Sequence, residues 1–330
     1  MSETIAAIAV PGKGILAADE SVSTASKRLT AAGVDPSEEN RRRYREMLFT
    51  GKDIEKYLAG VILFEETLAQ KTKGIPFPDY LLKRGILPGI KVDQGLHPLE
   101  GTTEQVTEGL KGLNIRLRAY RKSGACFAKW RAVYQISEKT PSDALIHENA
   151  ERLAKYASVC QSEDFVPIVE PEVLIDGDHS IARCAEVSRR VLKAVFAALR
   201  NEDVDITLII LKPSMVISGK SSKDRADAKT VAKETIAVLK ETVSKSVPTI
   251  NFLSGGQSPV EATCHLSEMH KLGSLPWNVS FSYARALQEP ALDAWKGKDA
   301  NNASAQATFV KRLKLNSLAS TGQYTSSMEE

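Results

Sequence analysis

The 330-residue sequence contains no run approaching about 18 consecutive apolar residues, so no segment reads as a membrane span. Cysteine is scarce. The four present, Cys126, Cys160, Cys184 and Cys264, are widely spaced with no CxxC. That argues against a disulfide framework or zinc knuckle and for a reducing compartment. The opening stretch "MSETIAAIAVPGKG" lacks a basic segment followed by an apolar one. No signal peptide is read there, and the expected location is cytoplasmic. Charge of one sign is not in excess: 44 Lys and Arg against 41 Asp and Glu leave a net charge of +3. With no basic arm and no aromatic-basic stripe, a nucleic-acid partner is not expected. The five histidines form no HExxH. His265 and His270 stand five apart, off a common helix face, and read as surface residues. No metal and no cofactor are expected. Two nucleotide-binding signatures are also missing. "GKGILA" (12–17) precedes the first strand and ends in alanine, which rules out a dinucleotide fingerprint. "GKS" (219–221) would need glycine at the position of Ser214 to be a Walker A loop.

What is present is a repeating pattern. Short apolar, β-rich runs recur at "GILAAD" (14–19), "GVILFEE" (60–66), "GIKVD" (89–93), "CFAKWRAVY" (126–134), "VPIVEPE" (166–172), "ITLIILK" (206–212), "TINFLSG" (249–255) and "NVSFSYAR" (278–285). About 30 to 45 residues separate their ends, room for a helix and two loops each time. The intervening segments carry helix signals. "DPSE" (35–38), "TPSD" (140–143) and "SPVE" (258–261) read as an oxygen-bearing cap, proline at the first helical position and an acid two residues later. That reading makes Asp35 a cap and Pro36 the first helical residue. Val187, Val191, Val195 and Leu199 recur at helical spacing, and Gly273 stops the helix in "EMHKLG". Eight strands alternating with helices, without a linker, predict an α/β fold: one (β/α)₈ TIM barrel over 1–330, with a short mobile tail from about 320.

In such a barrel the chemistry lies at the C-terminal ends of the strands. Here those ends are charged: Asp19 on the first, Lys91 and Asp93 on the third, Lys129 and Arg131 on the fourth, Glu170 and Glu172 on the fifth, Lys212 on the sixth. Residues two apart on a strand share a face, so Lys129 and Arg131, like Glu170 and Glu172, are expected to point the same way. One such pair is often only a structural ion pair. The set, all at one end of successive strands, reads as a functional site. Lys212 is the odd member, closing the apolar run Leu208–Leu211. An amine nucleophile must be neutral, and an ordinary lysine, with a pKa of about 10.4, seldom is at pH 7. Apolar surroundings and a neighbouring Lys129 or Arg131 both favour the neutral form. Such a lysine can attack a carbonyl and form a Schiff base, with Glu170, Glu172 and Asp19 as candidate proton carriers. "FLSGGQS" (252–258) is a glycine turn leading into a helix, a place where backbone N–H groups can meet an anion, with Arg285 on the next strand. The loop Ser218–Asp227 reads as solvated surface.

The segments "PGKGILAADES", "GVILFEETL", "PGIKVD", "FAKWR", "VPIVEPEVLIDGDH", "LKPSMV", "FLSGGQS", "FSYARAL" and "NSLASTGQY" resemble, in order and over nearly the whole chain, the class I fructose-1,6-bisphosphate aldolases. The resemblance implies a metal-independent lyase of glycolysis and gluconeogenesis. It would cleave fructose 1,6-bisphosphate to dihydroxyacetone phosphate and glyceraldehyde 3-phosphate, and run the reverse condensation. It makes Lys212 the Schiff-base lysine, Glu170 the general acid/base, Glu172 its support in the imine steps, and Asp19 the carboxylate at the C4 hydroxyl. Lys129 would keep Asp19 and Glu170 charged. Ser254, Gly255, Ser282 and Arg285 would bind the C1 phosphate. Ser21, Lys27, Arg28, Lys91 and Arg131, with Arg41 as a further candidate, would serve the other phosphate end. A homo-oligomer, tetrameric by resemblance, is implied, and the alternative is a non-catalytic sugar-phosphate-binding scaffold. The sequence departs from the family pattern at Thr207–Ile209, Ser214, Gln94, Val22–Thr24 and Ala284. It also lacks the long tail ending in tyrosine and closes on "YTSSMEE".

Overall fold

A computed structural model describes all residues, Met1–Glu330. The eight apolar runs form eight parallel strands: β1 (Gly14–Ala18), β2 (Leu58–Leu63), β3 (Leu87–Lys91), β4 (Phe127–Tyr134), β5 (Val166–Val173), β6 (Ile210–Leu211), β7 (Thr249–Phe252) and β8 (Asn278–Tyr283). Each pairs with the next in sequence, and β8 pairs back onto β1 to close the barrel. The helices are α1 (Ser2–Ile8), α2 (Val22–Ala31), α3 (Glu38–Phe49), α4 (Glu65–Ala69), α5 (Phe77–Lys83), α6 (Leu113–Lys122), α7 (Asp143–Ser162), α8 (Ile181–Asn201), α9 (Ala228–Thr242), α10 (Pro259–His270), α11 (Arg285–Trp295) and α12 (Asn302–Ala319).

Apolar burial occurs in two places. Outside the strands, helix stripes such as Val187, Val191, Val195 and Leu199 of α8 are fully covered, as their spacing predicts. Inside the barrel, Ile15, Ala17, Phe127, Val166, Ile168 and Ile210 form a separate apolar plug with Ile5 and Ile8 of α1. Phe127 takes up much of this space. A β-carbon on Gly89 of the adjacent β3 would stand 2.1 Å from its ring, and one on Gly60 of β2, the next strand along, would stand 3.1 Å away, so both strands carry glycine where the ring lies. The interior is therefore apolar at the N-terminal end of the strands and polar at the other.

Several local expectations change. The helix beginning after "DPSE" is capped by Ser37, whose hydroxyl accepts from the Asn40 N–H at 3.4 Å, and not by Asp35; Pro36 lies outside the helix. At "TPSD" the cap is likewise Ser142, accepting from Leu145 N–H at 3.1 Å. The acceptor oxygen must sit three residues before the N–H it receives, and in both stretches the serine after the proline meets that offset. "SPVE" behaves as read: Ser258 and Glu261 form a reciprocal capping box with Pro259 in the first turn. Strand six is shorter than its apolar run, because Asp205 accepts both the N–H and the hydroxyl of Thr207 and winds Ile206–Leu208 into a 3₁₀ turn. Arg285 is the first residue of α11 and not part of β8. His265 is buried, and His270 is half-buried with Nε2 against the Val279 carbonyl at 2.9 Å; neither is a surface residue. Five residues is more than one helical turn, but α10 is covered on enough of its circumference to bury both.

Near the chain's end, Tyr324 is buried and its hydroxyl donates to Glu329 Oε1 at 3.0 Å. Glu329 Oε2 accepts from Arg312 at 2.5 Å.

Candidate active site

The parallel register sets the site. The Lys212 N–H donates to the Val169 carbonyl at 2.8 Å, which places Lys212 beside Glu170, and Glu170 is in turn the register partner of Arg131. Two-residue alternation then turns Lys129 and Arg131 of β4, like Glu170 and Glu172 of β5, to one face, with Arg131 and Glu170 level with each other. Lys129 Nζ lies 3.0 Å from Asp19 Oδ2 and 3.0 Å from Glu170 Oε2, and the other oxygen of Glu170 lies 3.4 Å from Lys212 Nζ. Asp19, Lys129, Glu170 and Lys212 are all at least 92% buried, two lysines among two acidic side chains. Arg131 Nε is ion-paired with Glu172, and Lys91 Nζ with Asp93 at 2.5 Å.

Burial alone would push the Asp19 carboxyl up. The ammonium groups of Lys129, Lys212 and Lys91 outweigh it and hold Asp19 well below the usual carboxylate range. For Lys129, burial works against the charge, but Asp19, Glu170 and Asp93 together raise its pKa, so it stays protonated. Arg131 is raised in the same way, burial being outweighed by Glu172. The arrangement is thus one fixed cation between two carboxylates, with a second amine within reach of one of them.

These groups floor a cavity of about 920 Å³ at the C-terminal ends of the strands. Its wall includes Ser21, Arg28, Lys91, Arg131, Ser254, Gly255, Ser282 and Arg285, all expected from the sequence. Lys27 and Arg41 are not brought to it. Lys27 is exposed on α2, and the Arg41 guanidinium is bound to both oxygens of Glu66, at 2.8 and 2.5 Å, and to the Pro36 carbonyl. On the wall near β7 and β8, Gly255 and Gly256 both have positive φ, +50° and +80°. A β-carbon on Gly256 would stand 2.9 Å from Ile175 and 3.4 Å from Arg285 Nη2, so backbone and guanidinium share one recess. Ser282 Oγ is buried there without a protein partner. Ala284 has a φ of −102°, which needs no glycine. Ser214 turns its hydroxyl onto the Val173 carbonyl at 2.9 Å, tying the residue after Pro213 to the end of β5.

Two supports were not legible in the sequence. Glu20, next to Asp19 but on the opposite side of the chain, is ion-paired with Arg28 and with the buried Arg45, and accepts from Gln288 Nε2 at 3.0 Å. Gln288 also binds the Ala17 carbonyl at 2.7 Å. Arg28 is thereby held at the rim. No sequence signal names the partners of Glu20, 25 and 268 residues away. The second support, Gln257 with His265, lies behind Ser254. No group of three His, Cys, Asp or Glu side chains is placed to hold a metal ion.

The family model described as fructose-bisphosphate aldolase class-I matches residues 1–330. A protein of Xanthomonas campestris pv. campestris named probable fructose-bisphosphate aldolase class 1 is 50% identical over 327 residues, covering 98% of each chain. The cytosolic fructose-bisphosphate aldolase 4 of Arabidopsis thaliana is 49% identical, over 96% of this chain and 81% of its own. The solved structure of fructose-bisphosphate aldolase from Plasmodium falciparum, in complex with TRAP and a small-molecule inhibitor, superposes with a TM-score of 0.97. It is 45% identical, covering 98% of this chain and 94% of its own.

Proposed function

The chain belongs to the class I fructose-bisphosphate aldolases, and from that premise we propose how its barrel mouth carries out their glycolytic cleavage. Fructose 1,6-bisphosphate is split to dihydroxyacetone phosphate and glyceraldehyde 3-phosphate, and the same site runs the reverse condensation. The Lys212 amine attacks the C2 carbonyl, and the carbinolamine loses its hydroxyl as water with a proton delivered by Glu170. Asp19, held ionised by Lys129, takes the proton from the C4 hydroxyl. The C3–C4 bond breaks, its electron pair moves into the iminium, and the aldehyde leaves. The enamine is then protonated at C3 and hydrolysed, which frees Lys212 and the second triose phosphate. Glu172, paired with Arg131, supports the imine steps. The observation that carries this reading is Glu170 spanning two amines, Lys212 at 3.4 Å and Lys129 at 3.0 Å, in a buried site.

The phosphate ends take the two walls. Ser254, Gly255, Ser282 and Arg285 receive the C1 phosphate at the positive-φ turn. Ser21, Arg28, Lys91 and Arg131 face the other. A soluble homo-oligomer in the cytoplasm, tetrameric by family, completes the proposal. The cytoplasmic location is supported by four unpaired cysteines and by a relative named cytosolic, and the oligomer rests on the family alone. The non-catalytic scaffold gains no support from relatives that are all named as aldolases.

Borohydride reduction in the presence of dihydroxyacetone phosphate tests the chemistry. Mass spectrometry is expected to place the reduced adduct on Lys212, with activity unaffected by EDTA. An adduct elsewhere, or full activity in Lys212→Ala, would sink the proposal. Size-exclusion chromatography with light scattering reads the oligomer.

A further inference from the structure

From Ser254 on the cavity wall, a chain of buried polar groups leads back behind the positive-φ turn. Ser254 is 5% exposed, Gln257 4% and His265 6%. Gln257 Nε2 donates to the Ser254 carbonyl at 2.9 Å, and the Gln257 backbone N–H donates to the same oxygen at 3.0 Å. With its amide nitrogen committed there, Gln257 turns Oε1 to His265 Nδ1, 2.6 Å away. An amide oxygen can only accept, so Nδ1 carries the hydrogen. Two further links fix the turn: the Leu253 N–H donates to the Pro213 carbonyl at 3.2 Å, next to Lys212, and Gly256 packs against Ile175.

We propose that His265 is a positioning residue for phosphate binding: through Gln257 it fixes the Ser254 carbonyl, and so aims the Gly255 N–H into the recess shared with Arg285. The physical reason is a peptide-plane constraint. The Ser254 carbonyl and the Gly255 N–H belong to one rigid plane, so anchoring the oxygen behind the turn aims the N–H in front of it. At positive φ the two glycines have few steric constraints of their own, and the orientation must come from such an anchor. His265 also stays neutral over the working range, because burial lowers its pKa to about 4. The anchor thus adds no charge behind the anion.

The inference rests on the reading of Ser254–Arg285 as a phosphate site. The experiment compares His265→Leu, His265→Asn, Gln257→Glu and Arg285→Ala by steady-state kinetics with fructose 1,6-bisphosphate and by competition with inorganic phosphate. His265→Leu is expected to raise KM and the inhibition constant of phosphate together by about fivefold to tenfold, with kcat within about twofold. His265→Asn, whose amide can donate to Gln257, returns both to within about twofold. Gln257→Glu keeps the volume but loses the donor to Ser254, so it reproduces the His265→Leu result, and it carries the test if His265→Leu does not fold. Unchanged KM in both His265→Leu and Gln257→Glu overturns the inference, as does an Asn variant no better than Leu. Arg285→Ala separates the two levels. If it leaves KM unchanged, the phosphate site itself is misplaced. If it raises KM while the His265 variants do not, only the positioning role falls.

Discussion

Glu170 Oε1 lies 3.4 Å from Lys212 Nζ, across a single pair of adjacent strands. The contact follows from parallel register alone, since the Lys212 N–H on the Val169 carbonyl leaves the two side chains no other level at which to meet. Glu170 faces a second amine with its other oxygen, so a proton on this carboxyl has neighbours on both sides.

Glu170→Gln keeps the shape of the residue and removes its proton chemistry. We expect kcat for fructose 1,6-bisphosphate cleavage to fall by about 10²- to 10⁴-fold, with KM changed far less. A coupled triose phosphate assay measures this, and borohydride trapping on Lys212 should slow in parallel. Activity within tenfold of wild type would remove Glu170 from the proton path.

Lys129→Met leaves two buried carboxylates facing each other without their shared cation. Breaking a buried pair in this way costs about 3–5 kcal/mol, read as a fall in the denaturant midpoint. The acid limb shifts too. In the wild type, the depressed Asp19 pKa contributes stability that is complete above its unfolded value of about 3.9. That stability is lost only as pH falls further, through the lower folded value. Without Lys129, only Lys212 and Lys91 are left to oppose burial, and Asp19 protonates at higher pH. Stability measured from pH 6 down to pH 3 should therefore fall earlier in the variant than in the wild type.

Arg41 and Lys27 bear on how far position in a motif predicts function. With the Arg41 guanidinium committed to Glu66 and Lys27 exposed on α2, Lys27→Ala is expected to leave KM within about twofold, and Arg41→Ala to lower the melting temperature with KM also within about twofold. Arg285→Ala, which removes a charge-assisted contact, should raise KM by about 10- to 100-fold. A large KM effect at Arg41 or Lys27 would show that these side chains swing inward when substrate binds.

Gly256→Ala tests the turn. At a φ of +80°, with Ile175 2.9 Å from the new β-carbon, the variant should lose about 1–3 kcal/mol of stability. Chemical denaturation reads the loss. A neutral result would mean that the turn relaxes without cost.

Where the sequence was informative, the information was local. Eight apolar runs at regular spacing mark the strands, and their charged ends mark the mouth, because alternation along a strand and register between parallel strands leave little choice of where Lys129, Glu170 and Lys212 go. The caps fall on Ser37 and Ser142 and not on Asp35 and Thr140 because the pattern holds two possible acceptor oxygens, and only the offset to the accepted N–H decides between them. Glu20 with Arg45 and Gln288, and Gln257 with His265, were illegible for a different reason. Each link depends on which helices meet behind the barrel, and nothing in the chemistry of "ES" or "CH" encodes that meeting.

The apolar plug of Ile5, Ile8 and Phe127 makes the barrel a blind alley. Traffic in and out uses one door. On the proposed chemistry, the triose phosphate stays tethered to Lys212 until its imine is hydrolysed, while the aldehyde is free once the C3–C4 bond breaks. The order of departure is then a matter of queueing: the aldehyde leaves first, and in the synthetic direction the ketose phosphate must enter first.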